Sequence, residues 1–196
     1  LSSAYRKVVI LVGNHDLAGS KQMEAGTSSI HLVARSDSSV TIVDKPTNHM
    51  GAALIPYMSD ESEFVAAADA LWNQGCNDLL ICHQTFNGAM YDNGFYAPGG
   101  FDVSRIKQGR IISGHIHTAQ EFDKVWYPGT PRWENRNDAN LEKGVWDVEL
   151  TSGLFRKQLI PTRGALTPIV ELVIKEGEPL PAIPSGVKLY VELVGS

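Results

Sequence analysis

The sequence predicts an α/β fold, and three observations predict it. Short runs of strand length lie at residues 7–12, 78–82 and 110–113, and each leads directly into a polar cluster. One amphipathic helical segment lies between the first and second of them. Beyond Gly153 only strand-like runs follow, with no helix signal.

Taken in order, Lys7-Val8-Val9-Ile10-Leu11-Val12 is a continuous apolar run that Gly13 ends. Such a run reads as a strand buried on both faces, the usual state of a central strand in an α/β sheet. Residues 17–29 are small and polar and read as a loop, followed by short strand candidates at 30–34, 40–43 and 51–56. Asp60 is a predicted helix N-cap, and Glu63 three residues later completes a variant of the capping box. Phe64, Ala67, Ala68 and Leu71 fall on one helical face, and Gly75 is the C-terminal stop. Residues 78–82 form the next buried strand and deliver His83. Residues 86–101 are rich in Gly, Asn, Tyr and Pro and predict a long loop of the kind that is often functional. Residues 110–113 form a third short strand that delivers Gly114. Residues 121–126 and 144–150 alternate like strands, as do 155–160, 169–174 and 188–194. The last three are read as a small β-rich appendage over 153–196, after a main domain over 1–152.

The composition excludes some functional classes. At 43% apolar and 20% charged residues the 196-residue chain is ordinary for a soluble globular protein. It has neither a membrane-length apolar run nor the basic, apolar start of a signal peptide, so no membrane contact and a cytoplasmic location are the expectation. A formal charge of −5 provides no general basic field for nucleic acid, so any such affinity has to be local or come from a partner. Cys76 and Cys82 read as buried thiols rather than a disulfide framework.

The chemistry gathers where strands end. Gly13-Asn14-His15-Asp16, then His83, then Gly114-His115-Ile116-His117 each follow a strand, and they hold four of the six histidines. Ligands of open α/β sheets collect at the carboxyl ends of strands, so clusters far apart in sequence can converge there. Taken singly, His83 reads as a hydrogen-bonded structural histidine and Asn14-His15-Asp16 as a polar turn. The two-residue spacing of His115 and His117 puts both on one face of an extended strand, and imidazole is the commonest nitrogen ligand for metals. As an ordered set of three, the clusters point to a metal-dependent site.

These residues resemble the calcineurin-like metallophosphoesterases, whose last three of five signature motifs are Gly-Asn-His-Asp, a later lone His, and Gly-His-x-His. The resemblance covers about residues 7–150. It implies a β-sandwich flanked by helices that carries a two-metal centre. Asn14, His83 and His115 would bind one metal and His117 the other. His15 would contact the phosphate and assist the leaving group, and Asp16 would orient His15. Two divalent ions about 3.5–4 Å apart polarise a phosphoryl group and generate a hydroxide nucleophile. The first two motifs of that family, Asp-x-His and Gly-Asp, are absent, since only twelve residues precede Gly13. The expectation is therefore a chain truncated at its N-terminus and inactive alone, with an enzyme as its full-length parent.

Tyr127-Pro128-Gly129-Thr130-Pro131 narrows the resemblance to the SbcD-type DNA-repair exonucleases and their phage-type relatives, although the stretch reads equally well as a tight turn. That subfamily implies a DNA substrate, manganese as the metal with iron or zinc as alternatives, an ABC-type ATPase partner and a homodimer. A phosphatase or nucleotide phosphodiesterase of the same superfamily is the alternative, and a non-catalytic metal-binding module is a third reading. Arg132, Arg136 and Lys143 are candidates for DNA backbone contacts, though the interspersed Glu134, Asp138 and Glu142 favour a solvated surface. Trp126, Trp133 and Trp146 read as packing residues before stacking platforms.

Overall fold

The computed structural model describes residues 7–17, 30, 38–151, 154–179 and 181–194. Among them the fold is mixed α/β, with twelve strands and one α-helix. The strand candidate at 30–34 and most of the loop at 17–29 lie outside the described residues. None of the described helices is long and apolar enough to cross a membrane.

The centre is a six-stranded sheet, built from β3 (Thr47–His49), β4 (Ala52–Ile55), β5 (Leu79–Cys82), β6 (Arg110–Ser113), β7 (Gln120–Phe122) and β8 (Val125–Tyr127). Its strand order is β3-β4-β5-β6-β8-β7. The four inner strands are parallel and short apolar runs, as burial on both faces requires. The two edges are antiparallel hairpins. At one of them, Met50 and Gly51 both have positive φ (53° and 87°) in the two-residue turn between β3 and β4. That pair of values marks a turn matched to strand twist, and methionine is an unusual occupant, which is why β3 leaves no turn signal in the sequence. At the other, residues 121–126 form a hairpin rather than one strand, because Asp123 turns the chain with φ 49°. Aspartate tolerates that conformation because its side chain is short and polar.

The helix α1 (Glu61–Asn73) starts where the Asp60 side chain accepts from the Glu63 N–H at 2.9 Å. It stops before Gly75, whose φ is +91°. Phe64, Ala68 and Leu71 bury one face of α1 against Ile55, Leu80, Ile111 and Val125 of the sheet. The opposite face of the sheet is met by β9 (Gly144–Thr151) and β10 (Leu154–Pro161), an antiparallel pair whose strands lie on either side of residues 152–153. Trp146 of β9 and Phe155 of β10 pack edge-on against Trp126, with ring centroids 5.2 and 5.6 Å away. Alternation along β8 produces this layering, since Val125 and Tyr127 point to the helix side and Trp126 to the β9–β10 side.

Two smaller parallel pairs complete the described chain: β1 (Val8–Leu11) with β2 (Val40–Val43), and β11 (Ile169–Lys175) with β12 (Lys188–Val194). The expectation that β1 is buried on both faces does not hold. Val9 is 37% exposed, because among the described residues β2 is the only strand that pairs with β1. The carboxyl end of β1 is nonetheless tied to the main sheet, where the Tyr57 N–H donates to the Val12 carbonyl at 2.9 Å. Cys76 and Cys82 are free, buried thiols, as expected, and burial pushes the Cys82 thiol up to about 12.

A buried polar network fixes the carboxyl ends of β5, β6 and β8. The Tyr127 hydroxyl, fully buried, accepts from the Phe86 N–H at 2.9 Å and donates to the Gln84 carbonyl at 3.0 Å. Ser113 Oγ donates to the same carbonyl at 2.7 Å and accepts from the Gln84 N–H at 2.9 Å. Tyr127→Phe leaves the Phe86 N–H buried without its partner. We expect a loss of about 1–3 kcal/mol in stability, read as a lower denaturation midpoint with unchanged denaturant slope.

Candidate metal centre

The carboxyl ends of the parallel strands lie side by side, and each presents a residue there. β4 leads to Tyr57, β5 to His83, β6 to Gly114 and His115, and β8 to the Tyr127–Pro131 turn. β5 and β6 pair in register, with Cys82 opposite Ser113, so His83 falls beside Gly114. The end of β1, tied to Tyr57, brings Asn14 to the same edge.

His83 Nε2 lies 3.1 Å from Asn14 Oδ1, within hydrogen-bond distance. The His83 and His115 rings stand edge to face with centroids 5.2 Å apart. Three residues from three distant motifs, Asn14, His83 and His115, are thus brought together. His15 and His117 are exposed and close enough for their charge to be felt at both inner histidines. Among the described residues no three of His, Cys, Asp and Glu form a metal-holding group, so the cluster offers two imidazoles and an amide oxygen.

The glycines of two motifs have a steric reason. A Cβ at Gly114 would stand 2.7 Å from His83 Nδ1, and one at Gly13 would stand 3.0 Å from its Nε2. The imidazole therefore occupies a slot that any side chain at either position would close. Asp16 supports the same turn, since its carboxylate accepts from the Gly13 N–H at 2.8 Å. Beside the orienting of His15 that the resemblance implies for Asp16, this bond shapes the loop that carries Asn14.

One further residue of the site, Tyr57, was not singled out from the sequence. Tyr57 stacks on His115 at 6.2 Å with planes 17° apart, and its ring lies 6.5 Å from His83. It sits just past an apolar strand, so the strand-end rule that flagged His83 applies to it as well. Gly129 lies beneath the His115–His117 loop, where a Cβ would come within 2.9 Å of the His117 carbonyl oxygen. The Thr130 N–H donates to that oxygen at 3.0 Å. The Tyr127–Pro131 stretch is thus a turn with φ 77° at Gly129, and the turn is a seat for the histidine loop. His115 itself has φ 78°, a conformation that costs a non-glycine residue of order 1–3 kcal/mol and that clusters at functional sites.

The cations proposed for a DNA backbone are otherwise engaged. Lys143 is buried against Asp138, Arg132 pairs with Glu134, and Arg136 pairs with Glu171 and Glu192. Arg132 and Arg136 thus form the mixed, solvated surface that the interspersed carboxylates favoured, whereas burial removes Lys143 from it. The tryptophans pack as expected: Trp126 and Trp133 are buried, and Trp146 donates its N–H to the Pro128 carbonyl at 2.8 Å.

The chain is similar to exonuclease subunit 1 of Enterobacteria phage T4, with 31% identity over 143 residues. The match takes in 69% of this chain and 40% of that protein, so the chain spans well under half the length of its relative. No family model matches the chain.

Burial holds the His83 imidazole down, to about 4, with the His115, His15 and His117 charges acting in the same direction and Asp16 opposing them. Burial also lowers His115, helped by His15 and His117. Both rings are therefore neutral in the folded chain at neutral pH, with a ring lone pair free to accept. An unfolded His83 takes up a proton below about 6.5, whereas the folded one refuses it until about 4. Stability of the metal-free chain should consequently fall as pH drops through that window, by roughly 3 kcal/mol at most from His83. Urea titrations at pH 7.5 and 5 read the slope, and His83→Gln should flatten it. Gly114→Ala should push the ring out of its slot at a cost of about 1–3 kcal/mol. Unmoved His83 ring signals by NMR in that variant would contradict the packing described.

Proposed function

We propose that this chain supplies the histidine-rich half of a two-metal centre to a phosphoesterase that cleaves DNA. The fold in this reading is the β-sandwich flanked by helices of the calcineurin-like metallophosphoesterases. The observation that carries the reading is the meeting of Asn14, His83 and His115 at one sheet edge, 3.1 Å between the first two and 5.2 Å between the two rings. Two cis ligands of one octahedral ion, each about 2.1 Å from it, lie about 3 Å apart, so the Asn14–His83 separation fits a shared metal. Neutral imidazoles are the form that ligates. The similarity to a phage protein named as an exonuclease subunit supports DNA as the substrate.

In this assignment Asn14, His83 and His115 hold one divalent ion and His117 a second. The metals, when bound, supply Lewis acidity toward the phosphoryl oxygens and a nucleophile at neutral pH. His15 is exposed at the rim and contacts the phosphate, donating a proton toward the leaving oxygen. Asp16 holds the Gly13 turn and, with it, the direction of His15. Tyr57 packs against the His115 ring and limits its movement. Manganese as the metal, an ABC-type ATPase subunit and a homodimer belong to this reading through the resemblance alone.

The test uses a polypeptide that joins this chain to an upstream Asp-x-His and Gly-Asp segment, in the presence of manganese. Turnover of duplex DNA is compared with that of nitrophenyl phosphate at equal protein and metal. We expect DNA cleavage that His115→Ala lowers by at least about 100-fold, since disturbing even the outer shell of a metal site costs 10–100-fold. Robust monoester hydrolysis without DNA cleavage would sink the nuclease reading and leave a phosphatase.

A further inference from the structure

Behind the His115–His117 loop lies a buried ion pair. Lys143 Nζ stands 2.5 Å from Asp138 Oδ1, and the two side chains are 4% and 0% exposed. Both groups have further polar partners, although Asp138 Oδ1 itself meets the ammonium as an ion pair without an aligned hydrogen bond. Asp138 Oδ2 accepts from the Glu134 N–H at 2.8 Å and the Asn135 N–H at 3.2 Å. Lys143 Nζ donates onward to the His117 carbonyl at 3.0 Å and to Thr130 Oγ1 at 3.3 Å. The ammonium thus makes two hydrogen bonds and one ion pair. Burial alone would push the Asp138 carboxyl up, but Lys143 and the two backbone N–H groups outweigh it and hold it below its ordinary value.

The backbone of Lys143 is pinned as firmly as its side chain. Its carbonyl accepts from the Thr162 N–H at 3.0 Å and the Thr162 hydroxyl at 3.1 Å. The next residue, Gly144, opens β9 so close to β10 that a Cβ would lie 2.4 Å from the Ile160 carbonyl oxygen. The His117 carbonyl therefore receives two donors, Thr130 N–H and Lys143 Nζ, both fixed to rigid neighbours. A buried ion pair is a weak source of stability, because apolar residues of similar volume often serve as well or better. What apolar residues cannot do is hold a carbonyl in one orientation.

We propose that Lys143, aligned by Asp138, is a positioning residue for His117. It fixes the His117 peptide from behind and so sets the direction in which the ring leaves the loop. The role rests on the metal-centre reading for its consequence, but not for its geometry. Loss of the clamp lets the peptide rotate, and the ligand set loosens without loss of the fold.

The purified chain is titrated with Mn²⁺, read by electron paramagnetic resonance of the free ion, and its histidine rings are followed by ¹⁵N–¹H NMR with and without a diamagnetic metal, Zn²⁺. Lys143→Met alone strands a buried carboxylate and is expected to unfold part of the population. The informative variant is Lys143→Met combined with Asp138→Leu, which removes both charges. We expect it to keep the circular dichroism of the parent chain, at a lowered thermal midpoint because the Glu134 and Asn135 N–H groups lose their acceptor, while its His117 ring signals shift or broaden. Mn²⁺ affinity should fall about tenfold or more, the scale on which lost supporting contacts weaken a metal site. Should that variant not fold, Lys143→Met with Asp138→Asn keeps an amide oxygen for the Glu134 and Asn135 N–H groups and carries the same readouts. A folded variant with unchanged His117 signals and unchanged affinity overturns the proposal. If the parent chain binds no metal, the metal reading fails separately. His117 ring signals then decide the positioning role alone, a shift supporting it and identity with the parent chain overturning it.

Discussion

The in-register parallel pairing of β5 with β6, Cys82 opposite Ser113, sets the geometry on which the site depends. Because the two strands end level, His83 and Gly114 come to lie next to one another. The ring of the first occupies the space the second leaves by having no side chain. A slip of one residue in a parallel sheet would exchange faces and send the apolar set of β6 to the wrong side. The same register aligns Ser113 Oγ with the backbone of Gln84, so the hydrogen bonds that hold the strand ends follow from the pairing that made them neighbours.

Around that edge the molecule relies on buried polar contacts more than on apolar packing. The Tyr127 hydroxyl, Ser113, Gln84 and Lys143 each bond to backbone groups of a loop that carries a candidate site residue. Loops cannot be held by periodic hydrogen bonds, and apolar contacts are non-directional, so only such directed contacts define where a loop peptide points. The apolar layers do a different task. α1 and the β9–β10 pair cover the two faces of the sheet and keep water from these bonds.

Charge is spent locally. Arg105 meets Glu61, Lys107 meets Asp69, and Lys157 meets Glu121 while also lying over the Trp126 ring. With Arg132, Arg136 and Lys143 also paired, neighbouring carboxylates offset these six cations, in keeping with a formal charge of −5. Exposed pairs of this kind contribute little to stability, so their main effect is on the field that a polyanion would meet.

Much of the architecture was legible in the residues. The apolar runs gave the central strands, Asp60 and Gly75 bounded the helix, and the strand-end rule picked out Asn14, His83 and His115, because these are effects of nearest neighbours and of period. The β3–β4 turn escaped because it places methionine at positive φ, and residues 121–126 passed for one strand because nothing but Asp123 marks their reversal. Lys143 was misread as a surface cation for a similar reason, since its sequence neighbours are polar and only the fold buries it against Asp138. The sequence by itself determined which polar residues stand at the strand ends and on which elements they stand. Tertiary structure alone decided which of them meet, how the His83 ring is seated between two glycines, and which charges are buried, because each of those depends on groups tens of residues apart in the chain.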